Sequence, residues 1–267
     1  MSRRVQYLAA MGIPVYALRR AASGAGAAPV ASDAAPVASD AAAVASEAAP
    51  VASDAVAPDA GAVALRETRV GAAAATRLTL ADAWRALEAE VRDCTRCPLH
   101  RGRTQTVFGV GRRDADLLVV GEAPGEEEDR QGEPFVGPAG RLLNAMLRAI
   151  GLSREQVYIA NILKCRPPGN RDPRPDEADA CASFLDRQIE MIGPRAMLAV
   201  GRISAQRLLR TEQPVGKLRG VVHRYGPTGT PLVVTYHPAY LLRTPIAKAK
   251  SWQDLCMLAP LLSSSSA

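Results

Sequence analysis

Four short apolar runs constrain this chain more than any other feature: LLVVG (117–121), VYIANI (157–162), AMLAVG (196–201) and PLVVTY (231–236). Each is too short for a helix and apolar on both faces, which a strand tolerates only when it is covered from both sides. Helical patterns separate them, among them GRLLNAMLRAIG (140–151) and PDEADACASFLDRQIEMIG (175–193). Strands alternating with helices predict an α/β fold, a parallel sheet with helices on both faces and functional loops at the carboxyl ends of the strands. Three of the runs lead straight into unusual polar segments: GEAPGEEED after the first, NILKCRPPGNR after the second and YHPAYLLR after the fourth. One cleft is expected to collect all three, with nothing comparable after the third strand.

Only part of the chain can build such a core. Residues 21–75 are nearly all Ala, Val, Pro, Ser, Asp and Gly, and hold a seven-residue repeat from Ala28 to Ala55. Only Val30, Val37, Val44 and Val51 recur in it as large apolar residues, and Pro29, Pro36 and Pro50 interrupt any helix. Such a segment cannot bury enough surface to offset its ordering entropy, so a flexible linker is expected. Residues 1–20 read as a short amphipathic peptide and 76–267 as the folded domain. Residues 1–75 balance six arginines against six acids, so the net charge of +6 falls wholly on the folded part, which fits a polyanionic partner. No apolar run is long enough to span a bilayer. YLAAMGIPVYAL (7–18) is broken by Gly12-Ile13-Pro14 and followed by Arg19-Arg20, unlike a signal peptide, so a cytoplasmic location is expected.

Of five cysteines, Cys94 and Cys97 form a C-x2-C pair in the basic turn CTRCPLHRGR, and Cys165 and Cys181 a distant second pair. In a cytoplasmic protein this spacing suggests metal or redox chemistry before disulfides. Zinc and an iron–sulfur cluster both accept four thiolates, and the spacing leaves the two open. Cys256, in the apolar stretch WQDLCMLAPLL, reads as plain core.

Taken together, GEAPGEEEDRQGEPFVGPAGRLLN (121–144), NILKCRPPGNRDP, HPAYLLR and the four-cysteine frame resemble the family 4 uracil-DNA glycosylases, over about residues 80–262. The resemblance implies a three-layer α/β/α sandwich with a short, mainly four-stranded parallel sheet, and an enzyme that flips uracil out of single- or double-stranded DNA and hydrolyses its N-glycosidic bond. It also implies a [4Fe–4S] cluster on Cys94, Cys97, Cys165 and Cys181. Within that frame Gly121, Gly125, Gly137 and Gly140 let backbone approach a nucleotide. Ala123 lies in the same substrate loop, and Phe135 is the platform on which the base stacks. Asn161 offers the donor and acceptor that match uracil O4 and N3–H, and Glu128 bars the thymine methyl. His237 donates to uracil O2 as charge builds on the leaving base. Leu241, beside Tyr240, is the expected wedge in the duplex; Arg243, Lys248 and Lys250 suit phosphate contacts.

Better-known uracil glycosylases carry an aspartate where this chain has Ala123, which leaves Glu122 as the nearest carboxylate to orient water or steady the sugar cation. NILKCRPPGNRDPRP has no histidine, so ordinary turnover is expected rather than the covalent trapping of a related branch. The N-terminal SRRVQYLAAMGIPVYALRR looks like the peptide by which the DNA polymerase III psi subunit docks on the clamp loader, which implies a tether to replication. A monomer is expected. Two other readings share these residues: a non-catalytic iron–sulfur protein that binds nucleic acid, and a zinc-bound nucleotide hydrolase.

Overall fold

The computed structural model describes residues 79–263. The readings of residues 1–20 and 21–75, and the clamp-loader tether with them, lie outside the described residues. Helix α1 (Leu80–Arg92) opens on a reciprocal cap in which the Thr79 hydroxyl accepts from Asp82 N–H and the Asp82 carboxylate accepts from Thr79 N–H. The cysteine turn follows, then β1 (Val110–Gly111), β2 (Leu117–Gly121), α2 (Glu126–Gln131), α3 (Pro138–Ala149), β3 (Tyr158–Asn161), α4 (Pro175–Ile192), β4 (Ala196–Val200), α5 (Arg202–Leu209) and α6 (Val215–Leu218). The chain closes through β5 (Val222–Tyr225), β6 (Thr230–Thr235), α7 (Pro238–Arg243) and α8 (Lys248–Ser263).

The strands form one sheet in the order β1-β3-β2-β4-β6-β5. Its four central strands are parallel, as their unbroken apolar runs require, and both edges are antiparallel. The sheet thus has the four parallel strands expected and two antiparallel edge strands besides. The edge strands escape sequence reading for physical reasons. β1 is two residues long, and β5, VHRY, alternates exposed and half-buried positions without an apolar run.

Alternate residues of β2 serve two cores. Leu118 and Val120 pack with Trp84, Leu87 and Phe184 on the side of α1 and α4. Leu117 and Val119 pack with Leu143, Met146, Leu255 and Leu258 on the side of α3 and α8. Helices on both faces give the three-layer sandwich that the resemblance implied. Helix α4 ends on Gly193 at φ +57, a left-handed cap that glycine adopts without strain.

Cys256 departs from its expected place in the core: it is exposed. Helix α8 buries Ser251, Asp254, Leu255 and Leu258, and a residue one step past Leu255 is turned about 100° away from that face. No described helix is long and apolar enough to cross a membrane.

Candidate functional site

The register of the sheet sets the floor of the site. Gly121 pairs with Asn161 and Val200 with Thr235, so β2, β3, β4 and β6 end along one edge. There a cleft of about 770 Å³ opens, lined by Glu122, Ala123, Gly125, Glu128, Phe135, Asn161, His237 and Arg243 among others. Of the predicted substrate residues, Ala123, Glu128, Phe135, Asn161 and His237 thus line one cleft, while Gly121 lies against the Phe135 ring rather than in the lining. The third strand contributes too, contrary to expectation: Gly201 and Arg202, just past β4, form part of the wall. Gly201 has φ +107, and a Cβ there would stand 3.0 Å from His237 Cβ.

Phe135 is held in a conformation that few residues other than glycine adopt, φ +56. Three neighbours account for it. A Cβ at Gly121 would come within 2.6 Å of the phenyl ring, and one at Gly140 within 1.7 Å of the Phe135 carbonyl, so both glycines are required by close approach. The Arg154 guanidinium then donates to the Phe135 and Pro134 carbonyls. The ring lies 5.6 Å from the His237 ring, the two planes inclined by 30°.

Asn161 is buried, yet its Oδ1 has no hydrogen-bond partner. An unmet buried acceptor costs on the order of 1–3 kcal/mol, which a fold retains when something else supplies the donor. His237 is the N-cap of α7, and its Nδ1 accepts from Ala239 N–H at 3.1 Å. That bond leaves the proton on Nε2. Burial, reinforced by nearby Arg243 and opposed by Glu128, pushes His237 down to about 4, so the ring is a neutral donor at physiological pH. Burial, with Asp172 adding repulsion and Arg202 opposing, pushes Glu122 up to about 7. Arg202 is itself paired with Asp172.

Glu128 lines the cleft with its carboxylate already committed: it accepts from the backbone N–H groups of Gly125 (3.1 Å), Val136 (3.0 Å) and Gly137 (3.3 Å). It staples the two halves of the glycine-rich loop. The wedge expectation needs correction. Leu241 is 1% exposed and packs in the core beneath α7, whereas Leu242 is 44% exposed and Tyr240 37%. On α7 adjacent leucines are turned about 100° from one another, so docking one face inward buries Leu241 and leaves Leu242 in solvent. Lys248 is half-buried and Lys250 exposed on the first turn of α8, and only Arg243 of the expected phosphate contacts lines the cleft.

Sequence reading missed Tyr236, Arg171, Asp172 and, at the start of α6, Pro214, Val215 and Gly216 in the cleft wall. Tyr236 stacks on Tyr240 with 5.0 Å between centroids, and Arg171 is paired with the buried Glu177. A tyrosine directly before the His-Pro pair was the one available signal.

Cys94, Cys97, Cys165 and Cys181 line a second, smaller cavity together with Arg96, Arg103 and Lys164. The Arg103 guanidinium donates to Cys165 Sγ at 3.1 Å and to the Cys94 carbonyl at 2.9 Å. Burial pushes the Cys97 and Cys165 thiols up and Cys181 up to about 11. Among the described residues no three His, Cys, Asp or Glu side chains stand close enough to hold a single metal ion. Zinc with its thiolates at about 2.3 Å would need them closer. A cluster in which each cysteine serves a different iron tolerates a wider frame, and the basic side chains suit the charge of four thiolates.

The profile of the uracil DNA glycosylase superfamily matches residues 108–256. The chain is 44% identical over 162 residues to a type-4 uracil-DNA glycosylase of Archaeoglobus fulgidus, a match covering 58% of this chain and 81% of that protein. It is 47% identical over 155 residues to the type-4 uracil-DNA glycosylase of Thermotoga maritima, covering 57% and 80%. A type-5 uracil-DNA glycosylase of Pyrobaculum aerophilum is 30% identical over 149 residues. With the profile spanning more than half of the chain and the type-4 relatives matched over four-fifths of their length, this chain belongs to the uracil-DNA glycosylase superfamily and, within it, to the type-4 enzymes.

Proposed function

We propose that the cleft receives a uracil flipped out of DNA, hydrolyses its N-glycosidic bond and leaves an abasic site, and that single- and double-stranded DNA are both substrates. The observation that carries this reading is the buried, unpartnered Asn161 Oδ1 in a pocket walled by Phe135 and His237. Its Oδ1 would accept from uracil N3–H and its amide donate to O4. Phe135 would stack on the base, and His237 Nε2–H would donate to O2 as the bond to the sugar lengthens and negative charge gathers on the leaving base. The Glu122 carboxylate would face the opposite charge, steadying the sugar cation and orienting the water that adds to it. Glu128 keeps the loop rigid enough for its bulk to exclude a 5-methyl group. Leu242 takes the wedge role from Leu241, and Arg243 contacts phosphate.

Cys94, Cys97, Cys165 and Cys181 would hold a [4Fe–4S] cluster. Bound there, it would cross-link the 94–97 turn, the segment after β3 and helix α4 as a structural brace. Chemistry at the sugar is left to the residues of the cleft.

The test is base release from a uracil-containing oligonucleotide beside a thymine control. Release from the uracil strand alone is expected. Binding without release would favour the non-catalytic iron–sulfur reading, and loss of activity to chelator in a colourless protein would favour the zinc hydrolase.

Glu122 also predicts a pH profile. Its working form is the carboxylate, and the group sits near 7, so kcat is expected to rise with pH through neutrality. His237 is already neutral there and adds no limb. Glu122→Gln should flatten that limb and lower kcat by about 10²-fold. A wild-type limb that survives in Glu122→Gln would assign the titration elsewhere.

A further inference from the structure

Lys164 lies between the substrate cleft and the cysteine cavity. It sits three residues after Asn161 and one before Cys165, and it is 1% exposed. Its Nζ donates to the Asn161 carbonyl at 3.0 Å and to Gln188 Oε1 at 2.7 Å. Gln188 is itself fixed, donating to the Phe108 carbonyl at 3.0 Å and to the Tyr158 hydroxyl at 3.3 Å. Both acceptors of the ammonium are therefore neutral. Of the other buried charges, Glu177 is paired with Arg171 and Asp254 with Arg219, while Asp129 accepts from the Thr104 N–H. A buried lysine without a charge partner is rare, because taking the ion out of water is unfavourable unless an opposite charge offsets it. The cavity that Lys164 lines is also lined by all four cysteines.

We propose that Lys164 is a positioning residue that couples the two sites: its ammonium is the counter-charge of an anionic, thiolate-ligated metal centre and also anchors the Asn161 backbone that reads uracil. The proposal rests on the reading of the four cysteines as metal ligands. Four thiolates outweigh the charge of either one zinc ion or a four-iron cluster, so the centre is anionic in both cases. Its loss would strand the ammonium and loosen the end of β3. The centre then supports base recognition without touching the substrate.

Two variants of the full chain test this. Lys164→Met keeps the shape and removes the charge. Gln188→Glu gives the ammonium a carboxylate of its own, at the cost of the hydrogen bond to the Phe108 carbonyl. Both should fold with metal bound and surrender it to a chelator about 10-fold faster than the wild type, the usual scale for partners behind metal ligands. KM for uracil-DNA should rise about 10-fold in Lys164→Met, with kcat changed less, and stay near wild type in Gln188→Glu, where the anchor on Asn161 remains. A merely structural role would move metal retention and KM together. Metal loss at the wild-type rate in both variants would overturn the proposal; if Lys164→Met fails to fold, Gln188→Glu decides by metal loss alone. A wild type that releases uracil but binds neither iron nor zinc would remove the metal reading beneath it while leaving the glycosylase reading intact.

Discussion

Asn161→Ala is expected to cut kcat/KM for uracil release by about 10²–10³-fold while leaving the melting temperature unchanged or slightly higher. The two halves of this result have one cause. In the protein without substrate, Asn161 Oδ1 is buried and makes no hydrogen bond, so truncation removes an unmet polar group rather than a stabilising contact. With substrate, the same amide supplies the hydrogen bonds that distinguish uracil, and a site built around such bonds fails steeply when they are lost. A variant that loses activity and stability together would mean that Asn161 is an ordinary structural amide. Base release and thermal unfolding on the same preparation decide the matter.

His237→Ala is expected to lower kcat by about 10²–10³-fold, the usual loss for one donor to a developing anion, with KM within about threefold. Stability should fall as well, because the ring caps α7 through Nδ1 and Ala239 N–H, and loss of a cap costs about 1 kcal/mol. His237→Asn separates the two effects. Its side-chain oxygen can restore the cap, so stability should recover while activity stays low. Between about pH 5 and 9 the residual activity should keep the wild-type profile, since His237 titrates near 4. Full activity in His237→Asn would show that capping was the whole of its role.

Asn161 and His237 are both legible in the amino-acid sequence. An Asn at the end of an apolar strand and a His before a Pro after another strand are chemically conspicuous, and the parallel sheet dictates that such ends share an edge. The cysteine pairs are equally plain. Yet Glu128 carries no sign in the sequence that its carboxylate clamps three backbone amides. Nor do the wall residues Gly201 and Arg202 announce themselves, because they follow an apolar strand that runs into an ordinary helix. Leu241 and Leu242 are chemically identical, and only the docking of α7 buries one and exposes the other.

The sequence by itself determined the layered α/β architecture, the four parallel strands, the loops that carry the chemistry and the family. These follow from local apolar periodicity and from short motifs, which act over a few residues. The tertiary structure alone decided the two antiparallel edges, the exposed Cys256, the inward Leu241, the shared cleft wall after β4, the raised Glu122 and the buried Lys164 between the two sites. Each of these depends on which surfaces meet across long sequence separations. Burial and electrostatic environment are properties of such meetings, and no single segment encodes them.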